Sequence, residues 1–442
     1  MANLRDAIVA LTLRAEQRAM GRTARRALTG AVAFLRGDQA KAAAFAEGVA
    51  ESMAWADALA DGWTKAEAID QGGSFDACDL RVYLALAERA GVPFVPARTI
   101  LTLHEDELAA LSGTVPMPGF VANALARGVR RVFGEISAPS DAPAPIDREA
   151  LVGKLYDAMD DVPANWMVRS HIAGPSTLKA LAGSGLIAHG DDVVGASQGF
   201  AVGPGWVQQG NRRMVDAANA RYVELFPQGH GTTIAYLARP WIAAGRRAEG
   251  PDPHRHGTPF AGKGSWPCEW RVFVENGRVT GVASYYAWTG EATPLNARKA
   301  LEAAALAQKM VDAGVALNLF PASMDVELAK RAAAGGATLP PPHQETLARF
   351  GEGFSCTLDF LEGPDGMIFL EGGPAHMPIG GGHPCAFAGV GRVGRGTSCS
   401  TTGVALGLMD HVVLADPTTW VDGDHTGKIL TWDEARALAA QH

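Results

Sequence analysis

Residues 355–371, SCTLDFLEGPDGMIFLE, decide the reading of this chain. Two apolar, β-prone runs, SCTLDFLE and GMIFLE, are joined across Gly363-Pro364-Asp365-Gly366, so the stretch reads as an antiparallel hairpin. Asp359 and Glu371 stand six residues before and six after Asp365, which lets them lie opposite one another with both carboxylates on one face. Such a pair among Leu, Phe and Ile is costly to bury unless a cation neutralises it, and hard oxygen donors suit Mg²⁺ better than zinc. The competing reading is two edge-strand acids in water.

Working outward, residues 269–286, EWRVFVENGRVTGVASYY, form the clearest hairpin, because Asn276-Gly277 is the strongest short turn signal. Strand alternation points Glu269 and Arg271 to one face, where a plain ion pair on the ribbon is the simpler account of them. A helix over 296–313, closed by Gly314, separates the two hairpins. Upstream, residues 165–170, NWMVRS, read as a buried strand carrying Arg169, with Lys179 ten residues further on; either cation could instead snorkel to the surface. Residues 234–242, IAYLARPWI, read as another strand. The Gly-, Pro- and His-rich stretch 245–265 reads as an exposed loop.

Nearer the start, residues 79–100 give a helix (LRVYLALAERA), a stop at Gly91 and a short β-branched run. The prolines of SAPSDAPAPID, residues 137–147, mark a linker or long surface loop, and the first sixty-two residues carry helical spacing. The division expected is a helical region at 1–62, an α/β leading lobe with linker at 63–150, a smaller lobe at 151–245 and a larger lobe at 246–442, within an α/β fold.

Composition narrows the function. The chain has 442 residues, of which 47% are hydrophobic and 19% charged, the balance of a globular protein. Lys plus Arg number 39 and Asp plus Glu 47, a net charge of −8, so no basic footprint for nucleic acid is present. No run of eighteen apolar residues suggests a membrane span. Five dispersed cysteines without a CxxC pair argue against a zinc cluster or disulfide framework and point to a reducing, cytoplasmic setting. Three cations and two acids on successive strands are what a nucleoside triphosphate with Mg²⁺ requires, with guanidinium and ammonium on phosphate and carboxylates on the metal.

The series VRS, LK, ARPWI, EWRVFVENGRVTGVASYY and TLDFLEGPDGMIFLEGGP resembles the ATP-grasp family of nucleotide-dependent ligases, over roughly residues 163–374. Similar text also occurs in the cell-division-cycle 123 type of ATP-grasp protein. The resemblance implies two α+β lobes clamping ATP, with the N-terminal helical region added. It implies that Arg169 and Lys179 contact the ATP phosphates. Ala238, Arg239, Trp241 and Ile242 would be the hinge, whose backbone reads adenine and where Trp241 or Ile242 lies beside the ring. Glu269 and Arg271 would occupy the grasp hairpin, with Arg271 and Lys179 catalytic, and Asp359 and Glu371 would hold Mg²⁺. The activity implied is an ATP-dependent joining of a small-molecule or peptide carboxylate to an amine through an acylphosphate. A nucleotide-binding assembly factor and an ATP-grasp kinase are the alternatives. The chain departs from the family at Glu371-Gly372-Gly373-Pro374, where glycine stands at the usual asparagine ligand.

Overall fold

A computed structural model describes residues 36–37, 69–104, 107, 148–160, 162–163, 166–172, 233–251, 263–285, 291–350, 352–375, 412–415 and 427–441. The expected helical region of 1–62, apart from residues 36–37, the linker of 137–147 and Lys179 fall outside them. The fold is mixed α/β. Its first part comprises β1 (Gly73–Asp76), α1 (Leu80–Arg89), β2 (Arg98–His104), α2 (Arg148–Asp160), β3 (Trp166–Ser170) and β4 (Thr233–Pro240). There follow β5 (Arg247–Pro251), β6 (Lys263–Pro267), β7 (Glu269–Glu275), β8 (Arg278–Ser284), α3 (Pro294–Ala316), β9 (Leu319–Ala322), α4 (Met324–Ala334) and α5 (Pro341–Phe350). The last elements are β10 (Cys356–Gly363), β11 (Gly366–Pro374), β12 (Val412–Ala415), β13 (Gly427–Leu430) and α6 (Trp432–Ala439).

The two hairpins read from the sequence join into one sheet of order β11-β10-β7-β8-β12-β13. Asn276 and Gly277 take positive φ of 48° and 78°, the backbone that lets a two-residue turn follow the twist of β7 and β8. One face of the sheet is apolar: Trp270, Val272, Leu358, Phe360 and Phe369 pack there with Leu80, Tyr83 and Leu84 of α1 and Ala300, Ala307 and Met310 of α3. A second sheet, order β2-β4-β3, has its own core, because Ile234, Tyr236 and Ala238 pack with Val168 of β3 and with Leu151, Leu155 and Met159 of α2. The opposite face of β4 turns Ala235 and Leu237 toward the first core. Strand β4 thus joins the two cores.

Two expectations are corrected. Helix α3 runs through Gly314 to Ala316, and Gly314 is not its stop. Thr293 caps its start, and a methyl group at Gly314 would enter the Phe354 ring, so this glycine serves close packing. The stretch 245–265 is not simply an exposed loop: β5 and β6 pair antiparallel across it, with Arg247 opposite Pro267. Its glycine and proline content hid the ribbon.

The β10–β11 register explains how the acids come to face one another. Gly363 pairs with Gly366 and Phe360 with Phe369, so the two-residue turn alone would set Asp359 opposite Leu370. A β-bulge between Asp359 and Phe360 makes Leu370 an extra residue, and Asp359 faces Glu371 instead. Before the bulge, Met367 and Phe369 point into the apolar core; beyond it, Gly372 does, against the Tyr83 ring. Without the extra residue Glu371 would enter that core.

Candidate functional site

On the face away from the core, one rung of the sheet carries Glu371, Asp359 and Arg271 on three adjacent strands. Asp359 is 3% exposed and lies on β10, between β11 and β7, so it is not an edge-strand acid in water. Arg271 holds it through a two-pronged pair, Nε to Oδ1 at 2.7 Å and Nη2 to Oδ2 at 2.6 Å. Such planar fork-to-carboxylate geometry is the strongest form of this contact. The Arg271 guanidinium also lies 4.9 Å from the centre of the Tyr285 ring.

The second sheet completes the cluster. On β3 and β4, Arg169 and Arg239 share the face that carries Leu237, because Arg169 pairs with Leu237 and Met167 with Arg239. Arg169 donates from Nη1 to Glu371 Oε2 at 2.5 Å. Arg239 donates from Nη1 to the carbonyl of the bulged Leu370 at 3.0 Å. Both guanidinium groups are almost fully buried, and Arg239 Nε has no hydrogen-bond partner among the described residues. Burial first, and the Arg169 charge second, push the Arg239 pKa down to about 9 against the pull of Glu371. At neutral pH it remains a cation, and its Nη1 donates to a carbonyl and not to a carboxylate.

Four of the residues singled out from sequence, Arg169, Arg271, Asp359 and Glu371, therefore meet where the two sheets face. Glu269 begins β7 on the Arg271 face and is buried. Ala238 lies mid-strand, paired with Val168 on one side and Arg98 on the other, and its methyl fills the α2 core. Its backbone is committed to the ladder. Arg239 turns its side chain into the charged cluster, so of the expected hinge only Trp241 and Ile242, half-buried beyond the end of β4, stand outside the strand.

Sequence reasoning passed over Tyr285, although its alternation with Ala283 on the hairpin puts it on the Arg271 side. It also missed a second ion pair at the far end of the ribbon. Arg246 contacts Glu362 through Nε at 2.9 Å and Nη2 at 2.6 Å, and Trp270 Nε1 donates to the same carboxylate at 2.8 Å. Burial opposes the Arg246 charge, yet the Glu362 hydrogen bonds outweigh it and raise its pKa. Arg246 also reaches Asn296 Oδ1 in the first turn of α3, which makes this group a structural clamp. His171, buried just after β3, accepts the Ala235 N–H on Nδ1 at 3.1 Å. No sequence signal marked it.

The donor set suits a hard divalent cation. Mg²⁺ is commonly held by one or two carboxylates, with water and substrate phosphate completing its shell, and Asp359 and Glu371 supply two such groups on one rung. A Cβ at Gly373 would stand 3.0 Å from Thr357 Oγ1, so no larger side chain supplies a third donor there without displacing that hydroxyl. Among the described residues no group of three or more His, Cys, Asp or Glu forms a metal-binding set. Cys78, Cys268 and Cys356 are unbridged, and no described helix is long and apolar enough to cross a membrane.

No family model matches the chain, and no curated protein does. Among solved structures, Cdc123 from Schizosaccharomyces pombe is similar over 70% of this chain and 86% of its own, with 9% identity and a TM-score of 0.33. A likeness of that degree carries no argument about this chain.

Proposed function

We propose that the charged cluster where the two sheets meet binds ATP with Mg²⁺, and that the chain is an ATP-grasp-type ligase joining a carboxylate to an amine. The observation that supports this most is the meeting of Arg169, Arg239 and Arg271 with Asp359 and Glu371 at a single place, from strands far apart in sequence. Three buried or half-buried guanidinium groups gather there, with Asp359, Glu371 and the buried Glu269 beside them, and such a concentration of arginine suits the oxygens of a polyphosphate. The motif order that resembles the ATP-grasp family points to the same ligand.

In this reading Asp359 and Glu371 hold Mg²⁺, which would neutralise phosphate oxygens. Arg169 and Arg239 bind the phosphate chain from the β3–β4 side, with Lys179 as a further cation. Trp241 and Ile242 flank the adenine. Arg271 stabilises the transferred phosphoryl group, and Tyr285 fixes the plane of its guanidinium. The substrate carboxylate oxygen attacks the γ-phosphorus, the bond to the β-phosphate oxygen breaks, and ADP leaves. The amine nitrogen then attacks the acyl carbon, phosphate departs, and the amine gives up a proton. No enzyme side chain forms a covalent bond.

One observation favours a second reading, a nucleotide-binding assembly factor. Gly373 leaves no side-chain donor, so the metal would have a sparse protein shell. The deciding experiment incubates the chain with Mg-ATP and pools of carboxylates and amines. The ligase reading expects ADP and phosphate in step with an amide product. Nucleotide binding without any product favours the assembly factor, and a stable phosphorylated acid favours a kinase.

A further inference from the structure

The geometry points to a second ligand site, a cavity on the outer face of the β1–β9 pair that takes a small organic cation, a primary ammonium carried on a flat apolar body. None of its described lining residues belongs to the charged cluster, so this site stands or falls apart from the nucleotide reading.

The strand register builds the floor. Gly73 pairs with Leu319, Ser74 with Phe320 and Phe75 with Pro321. Leu319 and Phe75 enter the core, so alternation turns Ser74 and Phe320 to the other face. There they line a cavity of about 390 Å³ together with Glu327 and Lys330 of α4 and Glu352, which precedes β10. That volume falls within the roughly 300–1,000 Å³ of small-molecule sites. The Phe320 ring is its aromatic wall and is 41% exposed.

Charge on the walls sets the sign of the ligand. Lys330 Nζ donates to Glu327 Oε1 at 2.7 Å, so the lysine is already matched to a carboxylate. Glu352 is exposed and makes no hydrogen bond or ion pair among the described residues. An arriving anion would have to draw Lys330 from Glu327 while facing Glu352, whereas a cation meets the open carboxylate directly. Among the described residues no group of three or more His, Cys, Asp or Glu stands ready for a bare metal ion, which leaves an organic cation. The face of Phe320 attracts an ammonium group, and the apolar body of the ligand covers the rest of the ring. Ser74 Oγ is buried without a hydrogen-bond partner among the described residues, and a turn of that side chain toward the cavity gives the ammonium an acceptor.

The test titrates the full chain with phenethylammonium by calorimetry and by melting, with phenethyl alcohol and phenylacetate as neutral and anionic counterparts. Phenethylammonium should bind about tenfold more tightly than the alcohol, with phenylacetate weaker still, and should raise Tm. Phe320→Ala and Glu352→Gln, both at exposed positions, should each weaken binding at least about threefold. Lys330→Gln, which frees Glu327, should strengthen it. Circular dichroism checks folding; should Phe320→Ala not fold, Phe320→Leu takes its place, because it keeps bulk and loses the ring face. Absence of binding at millimolar ligand, an equal or stronger affinity for the alcohol or the acid, or affinity unmoved by both Phe320→Ala and Glu352→Gln overturns the site.

Discussion

Arg271 makes two charge-assisted bonds to Asp359 and lies against Tyr285, so its guanidinium is held in one plane before any ligand arrives. Pre-oriented charge is most useful where charge develops, and Arg271→Ala is expected to lower kcat by about a hundredfold or more with little change in adenosine affinity. Equal losses in kcat and in adenosine binding, by stopped-flow and calorimetry, would refute that role. Arg239 gives a pH signature. Its pKa is about 9 in the fold, well below the ordinary arginine value, so below 9 both folded and unfolded chains hold the proton and burial of the cation opposes folding. Between those values the unfolded chain binds more protons, and this group's contribution to stability rises with pH. An anion beside it must raise the pKa again, so tripolyphosphate binding at pH 9 should take up as much as about half a proton. Calorimetry in buffers of different ionisation enthalpy measures this, and Arg239→Gln should abolish it. Arg169, Arg271, Asp359 and Glu371 were legible in the sequence as charges set within largely apolar strands, where each calls for a partner. The role of Arg239 was not, since its position in a hinge came from resemblance while its direction depends on which face of β4 meets β11.

The hairpins were readable as elements because turn chemistry and alternation agree in each. The detail that brings Asp359 and Glu371 together was not. Counting six residues either side of Asp365 gave the right partner, but the turn is centred half a residue earlier and the bulge at Leu370 makes up the difference. A bulge leaves no reliable mark in a run such as Met-Ile-Phe-Leu-Glu. Likewise Gly314 read as a stop because glycine often ends helices, whereas here the Phe354 ring claims the space. In an open helix, replacing glycine by alanine stabilises by about 1 kcal/mol. At this position the overpacking of roughly 1–3 kcal/mol should reverse the sign. Gly314→Ala is thus expected to shift the urea midpoint downward at unchanged slope, and an upward shift would show that Phe354 yields freely.

For the molecule as a whole, a ligand that binds only the folded state stabilises it by about 2.7 kcal/mol at a hundred times its dissociation constant. Mg-ATP at millimolar concentration should raise Tm by several degrees, and ATP with a chelator should raise it less; no shift in either would remove the nucleotide site. The α/β class was legible because strands and helices alternate in the text. The joining of the two sheets was not, because it depends on pairings between residues as far apart as Arg169 and Glu371. What sets those sheets beside one another begins earlier in the chain. Strand β1 pairs with β9, Leu80 N donates to the His171 carbonyl, and Phe369 N donates to the Pro93 carbonyl, so residues 73–93 touch the chain on either side of the charged cluster. A fragment starting after residue 94 would retain every described charged group of the cluster and lack the splint that aligns them. Supplied separately as a peptide, that splint should restore ligand binding to the fragment, making the protein a candidate for a two-piece reporter in which assembly of the halves is read out as binding.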